Sequence, residues 1–327
     1  MNDDRYGLFS INNNPNSDFD IIFIHGLGGD KYTTWENENG ESWQNWLAQD
    51  YNASVWSIAY GANKTNWIED DMSLDKTADF MLGTLKNKGI GKKPYMFVVH
   101  SLGGLLVKKI LLKANVYGEY KELSDMCKSI VFFAVPHTGS GWANLLNYAK
   151  PLLRNSSLLT ALPKGSDGLH ALTMEFNAHI IQNNIETNVF YETKELRAKG
   201  ILDWLHLKKG IVIVSQDSAT KVHSLNQNIP LPEDHISICK ISSRESDTYA
   251  NKVKPIMNNM IEVAKGFKAK QEEQTKSKIE TDEATEVVQN HSGEGDNVVN
   301  KTVINKSVSV GGSSSGIIIT GDNNIVG

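Results

Sequence analysis

Cysteine is scarce: the chain of 327 residues holds two, Cys127 and Cys239, far apart. No Cys-x-x-Cys or Cys/His spacing is present, so a structural zinc site is not expected, and low cysteine use fits a reducing compartment. A basic face is also lacking. Lysine and arginine number 33 against 38 acidic residues, a net charge of −5, which argues against a nucleic-acid partner. No apolar run is long enough to cross a bilayer, so any membrane contact is expected to be peripheral. Met1-Asn2-Asp3-Asp4-Arg5 is polar and acidic, unlike a secretory signal peptide. Together these absences predict a cytoplasmic location. The Gly-x-Gly-x-x-Gly spacing of a dinucleotide loop is missing too, and no cofactor is expected.

What is present is an alternation of apolar runs and helical patterns. Strands are predicted over Phe19–His25, Ser54–Tyr60, Tyr95–Val99, Ser129–Val135, Asn188–Tyr191 and Gly210–Val214. Leu74, Ala78, Met81, Leu82 and Leu85 share one face of a predicted helix, and Leu105, Leu106, Ile110 and Leu112 start another that runs to about Lys113. Continuous Val/Ile runs separated by helices predict an α/β fold with a mostly parallel sheet covered on both faces. The span 140–184 lacks a strand and reads equally as a helical cap over the sheet or as an ordinary connecting helix with some loop.

The composition changes near Lys265. Residues 265–290 read as a charged helix or linker, and the expected α/β domain occupies 18–264 after an N-terminal segment 1–17. From His291 to Gly327 the chain turns to Gly, Asn, Ser, Val and Ile. It carries a near-repeat, Gly295-Asp296-Asn297-Val298-Val299 and Gly321-Asp322-Asn323-Asn324-Ile325-Val326. Short β-prone segments of low charge without proline can stack between chains, so the tail is read as an association segment; a disordered tail and an oligomerising sheet are its alternatives.

The most informative stretch is Tyr95–Val107. An apolar run stops at His100-Ser101, and Leu102-Gly103-Gly104 leads into a helix. That is strand, sharp turn and helix with a serine at the apex, the arrangement of a nucleophile elbow. The usual first glycine is replaced by Val99. Such a turn exposes the Ser101 hydroxyl and aims the Leu102 N–H at a developing oxyanion. Gly26-Leu27-Gly28-Gly29 follows the first strong strand, and the Leu27 N–H is the expected second donor. A serine of this kind needs a base and then an acid to orient it. His235, in Glu233-Asp234-His235-Ile236, is the base of right type and order. His170 and His179 fall in the cap span, His206 and His223 before or between elements, and His25 and His100 are expected to shape the site. For the acid, Glu192 is the topological choice and Asp217 the rival. Trp35, Trp43, Trp46, Trp56 and Trp67 could line an acyl pocket, although core packing is the commoner role.

With these residues assembled, the chain resembles the lipase/serine-esterase branch of the α/β-hydrolases. Within it the likeness is to the serine-active-site group often found beside nucleotide-binding immune-type receptors. The resemblance spans about Asp18 to Ala264. It rests on Phe23–Gly29, Thr34-Trp35, Trp43, His100–Gly104, Pro136-His137-Thr138-Gly139-Ser140, Phe190-Tyr191-Glu192-Thr193, Asp217-Ser218-Ala219 and Asp234–Lys240. Thr138 stands where the family usually has arginine. The resemblance implies ester hydrolysis on lipid substrates, and the tail resembles amyloid-like signalling motifs that pair with a receptor or with further copies. A catalytically silent binding or filament-forming protein and an acyltransferase are the other expectations.

Overall fold

The computed structural model describes residues 5–61, 72–149, 165–196, 212–223 and 228–286. The chain divides into two compact units, residues 1–267 and 268–327, and the sheet lies wholly in the first. Seven strands form it: β1 (Gly7–Asn12), β2 (Phe19–Ile24), β3 (Ala53–Ala59), β4 (Tyr95–His100), β5 (Cys127–Phe133), β6 (Glu186–Glu192) and β7 (Asn228–Leu231). Their order is β1-β3-β2-β4-β5-β6-β7. The edge strand β1 runs antiparallel to β3, and every other pairing is parallel. This is the α/β-hydrolase fold. The order reverses at β2, which has β3 on one side and β4 on the other. In open α/β sheets the crevice beyond the carboxyl ends of strands at such a reversal is where ligands bind.

Strands β2 and β4 are buried at every residue because both faces are covered. Alternate side chains serve two cores. Ile22, Ile24, Phe97 and Val99 face the helices α2 (Leu74–Asn87) and α3 (Gly103–Val116). Ile21, Phe23, Met96 and Val98 face α1 (Trp43–Asp50) and the chain from Ile238 to Ala264. The helix α2 begins at a Ser73 cap, whose Oγ accepts the Lys76 N–H, and buries the five apolar residues expected of it.

Two strands escape the pattern reading. Strand β1 has a single buried hydrophobic residue, Leu8. Strand β7 is four residues long and contains Pro230, which an edge strand tolerates. The strand expected over Gly210–Val214 is a correction: residues 210–211 lie outside the described residues, and 212–214 are irregular. Ile213 and Val214 are buried all the same, so an apolar β-branched run here serves a buried loop.

The span 140–184 holds two described helices, α5 (Gly139–Ala149) and α6 (Gly165–Asn183), after the short α4 (Lys121–Met126). Residues 150–164 lie outside the described residues. Leu169, Phe176 and Ile180 of α6 are fully buried in the core shared with α3 and β5, so this half of the span packs into the domain core and leads into β6. A short helix α7 (Gln216–Ala219) precedes β7, and α8 (Lys254–Glu286) closes the described chain. The early turns of α8 bury Ile256, Met257, Met260 and Ala264; the residues from 268 to 277 are exposed. The tail 291–327 and Trp67 lie outside the described residues. Trp35, Trp43, Trp46 and Trp56 are buried core residues, and Trp35 and Trp43 pack edge to face around Phe23.

Candidate active site

Strand β4 leads into α3 through two residues, and Ser101 at the turn has φ of +49°. This left-handed conformation is costly for a residue with a side chain and persists only where its surroundings enforce it. Here the Ser101 N–H donates to the Phe133 carbonyl at the end of β5 (3.0 Å). Behind the turn α3 presses on β2 and β5. A Cβ on Gly103 would lie 2.6 Å from the carbonyl oxygens of Ile24 and His25, and one on Gly104 would lie 2.3 Å from Val135 Cγ1. Only glycine fits there. Val99 needs no such exemption, since it is an ordinary β4 residue paired with Ile24 and Phe132 and fully buried.

The structure brings three of the expected side chains together. His235 Nε2 lies 2.9 Å from Ser101 Oγ, and His235 Nδ1 lies 2.7 Å from Glu192 Oε2. The carboxylate accepts, so Nδ1 carries the proton and Nε2 is free to accept from the serine hydroxyl. The second carboxylate oxygen, Glu192 Oε1, accepts the Val214 N–H at 2.8 Å. Thus the stretch expected as a strand supplies a donor to the acid. All three side-chain positions are buried, at 1% exposure for Ser101 and 2% for His235 and Glu192. Asp217 is placed elsewhere. It sits on α7 with its side chain 74% exposed and pairs with Lys221 at 3.0 Å.

Local hydrogen bonds explain why the flanking motifs have their composition. Asp234 Oδ1 accepts the Ile236 and Ser237 N–H groups (both 2.9 Å), and Ser237 Oγ accepts the Asp234 N–H (3.0 Å). This side-chain-capped turn presents His235. Trp43 Nε1–H donates to the Cys239 carbonyl (2.9 Å), and Lys240 Nζ donates to the Thr33 and Glu36 carbonyls (2.6 and 3.1 Å). The base loop is therefore tied to the segment after the Gly26–Gly29 turn. Ser218 braces the loop after β5: its Oγ donates to the Thr138 carbonyl and accepts the Thr138 N–H, both at 3.2 Å. Those bonds use only the main chain of Thr138.

The Gly26 turn lies against the elbow. A Cβ there would fall 2.8 Å from Ser101 Cβ. Among the described residues, neither the Leu27 nor the Leu102 N–H donates to a protein acceptor. His25 Nδ1–H donates to the Gly26 carbonyl, and its ring stacks on Tyr60. His170 and His179 lie on α6, and His223 N–H donates to Asn177. His206 lies outside the described residues.

His100 was expected to shape the site, but its partner was not foreseen, and a buried lysine was missed altogether. His100 Nε2 reaches the His235 main-chain oxygen at 2.8 Å. Lys108 is fully buried on α3 and donates to Thr173 Oγ1 (2.8 Å), which donates in turn to the His137 carbonyl (2.8 Å). Burial pushes the Lys108 ammonium down to about 7 and the His137 imidazole well below its ordinary value. A lysine one residue from another, Lys109, on an apolar helix is the only sign of this in the sequence. Among the described residues no group of three or more His, Cys, Asp or Glu could hold a metal ion, and no helix is long and apolar enough to cross a membrane.

No family model matches the chain. The protein SERAC1 of Bos taurus is 29% identical over 252 residues, covering 70% of this chain and 37% of that protein. SERAC1 of Homo sapiens is 28% identical with the same coverage. The chain thus spans little more than a third of the length of the curated relatives it matches. Similar solved structures include a lipase-esterase related protein from Clostridium acetobutylicum, at 12% identity and TM-score 0.44, covering 78% of this chain and 99% of that one. MenH from S. aureus has 10% identity and TM-score 0.45, covering 77% and 98%. Phospholipase PlaB from Legionella pneumophila has 18% identity and TM-score 0.39, covering 54% and 38%.

Proposed function

We propose that the chain is a serine hydrolase that cleaves carboxylic esters. The observation that carries the reading is the unbroken hydrogen-bonded chain from Ser101 through His235 to Glu192. Ser101 Oγ attacks the acyl carbon while His235 Nε2 takes its proton. Glu192 holds the tautomer and stabilises the imidazolium as it forms. The Leu27 and Leu102 N–H groups receive the negative oxygen, and loss of one such donor typically costs about a hundred- to a thousandfold in rate. His235 then protonates the departing alcohol. Water, activated by the same imidazole, attacks the acyl-serine and releases the acid.

The proposed substrate is a lipid ester of the lipase or phospholipase class. The sequence resemblance supports this, as do the apolar neighbours of the site, half-buried Leu27 and exposed Ile236. The proposed setting is the cytoplasm, with the enzyme as effector in a defence or cell-death system. Residues 291–327 would assemble it with further copies or a receptor, and contact with the membrane would be peripheral. The test is incubation of the purified protein with a cellular lipid extract, followed by mass spectrometry. Wild type should deplete one ester class and release its fatty acid, and Ser101→Ala should leave the extract unchanged. Equal product from both proteins would reject the reading.

A further inference from the structure

His100 ends β4 directly before the serine, and the reaction steps above do not use it. Its ring is 7% exposed and lies 5.1 Å from the His235 ring at a 46° tilt. Its Nε2 is 2.8 Å from the His235 carbonyl oxygen. A carbonyl can only accept, so the proton sits on Nε2. On the other side, a methyl group on Gly26 would lie 2.7 Å from His100 Nδ1. One imidazole therefore borders the Gly26 turn, the serine and the base loop. Burial first, then His235, His25 and Lys240, push its pKa down to about 3, although its bond to the His235 carbonyl opposes them. The ring stays neutral with a single proton to give.

We infer that His100 is a positioning residue: its Nε2–H holds the His235 main chain and so seats the base imidazole between Ser101 and Glu192. The inference rests on the acyl-transfer reading of those three residues. A hydrogen bond from a rigid strand end to a loop residue is well suited to the task, because a displacement of about 1 Å in a reacting group can cost a hundredfold in rate. Packing alone would ask for a ring of similar size and no donor. The two roles make opposite demands on a substitution.

The experiment compares wild type with His100→Gln and His100→Phe on p-nitrophenyl butyrate, with thermal unfolding as the control for folding. Glutamine keeps a donor and loses the ring; phenylalanine keeps a ring and loses the donor. His100→Phe should lower kcat roughly ten- to a hundredfold with KM within about twofold, and His100→Gln should recover most of that loss. A fully active His100→Phe, or a folded His100→Gln no better than it, would overturn the inference. Nitrogen chemical shifts of His100 in the wild type give a second readout that needs no variant. They should report a proton on Nε2 from about pH 5 to 9, and a proton on Nδ1 would also overturn it. Ser101→Ala separates the two readings. Unchanged hydrolysis rejects the site and this inference together, whereas abolished hydrolysis beside an active His100→Phe rejects the inference alone.

Discussion

Glu192 and Asp217 show how much a single side chain's surroundings decide. Both are carboxylates that follow an apolar run, so the sequence leaves them as rivals. Burial beside His235 Nδ1 and a bond from the Val214 N–H distinguish Glu192. Asp217 faces solvent beside Lys221. Glu192→Gln should therefore lower kcat by about a thousand- to ten-thousandfold, since the amide disturbs the tautomer that the base needs. Asp217→Asn should leave kcat within about twofold. Steady-state ester hydrolysis by the two variants checks both statements.

Lys108 makes a prediction of its own. Its folded pKa is about 7, against 10.5 for a free lysine. Between those values the unfolded chain binds more protons than the folded one, so stability should rise with pH across that window. Below about pH 7 the lysine contributes no further slope. Lys108→Met removes the buried amine and leaves Thr173 still donating to the His137 carbonyl. The variant should be more stable than wild type at neutral pH, by on the order of a few kcal/mol, and should lose the slope between pH 7 and 10.5. Urea unfolding midpoints at neutral and alkaline pH measure this. A variant that is less stable at neutral pH would contradict it.

At the scale of elements, the turn between β4 and α3 concentrates the local requirements. Ser101 at positive φ, Gly103 against two carbonyls and Gly104 against Val135 all follow from α3 starting directly beneath β2 and β5. Val99 is the informative exception. Replacing it with glycine would restore the usual elbow spelling, yet the side chain is fully buried in the core that the sheet shares with α2 and α3. Val99→Gly should destabilise the protein by about 2–4 kcal/mol, from lost apolar burial and added chain entropy. Chemical denaturation tests this, and a neutral or stabilising result would mean that the elbow itself suffers from the valine.

The central strands, the elbow and the base were readable because each carries a strong local signal: fully apolar runs, paired glycines, and a histidine in the right order. The edges were not. Strand β7 has four residues and a proline, so neither alternation nor length marks it. The run at 212–214 carries the stronger β signal and yet forms a loop, because its N–H is claimed by Glu192 instead of a neighbouring strand. Hydrophobicity reports burial there and says nothing of pairing. The link from His100 to His235 spans 135 positions, and no local pattern encodes it.

For the whole molecule, the sheet and the candidate site belong to the unit of residues 1–267, and the unit from Lys268 contributes none of the three side chains. A chain ending at Asn290 should therefore keep its hydrolytic kcat on a soluble ester within about twofold. If residues 291–327 assemble the protein as proposed, the shortened chain should also run at a smaller mass. Size-exclusion chromatography with light scattering, alongside the ester assay, reads both. An unchanged mass would reject the assembly role of the tail, and a large loss of kcat would show that the tail supports the site.

The account depends on Ser101 being an activated alcohol. The direct measurement is intact and peptide mass spectrometry after incubation with a fluorophosphonate. The account predicts one adduct per chain, mapped to Ser101, absent in Ser101→Ala and strongly slowed in His235→Ala. No adduct on folded wild type, or an adduct that persists in Ser101→Ala at another serine, would contradict it.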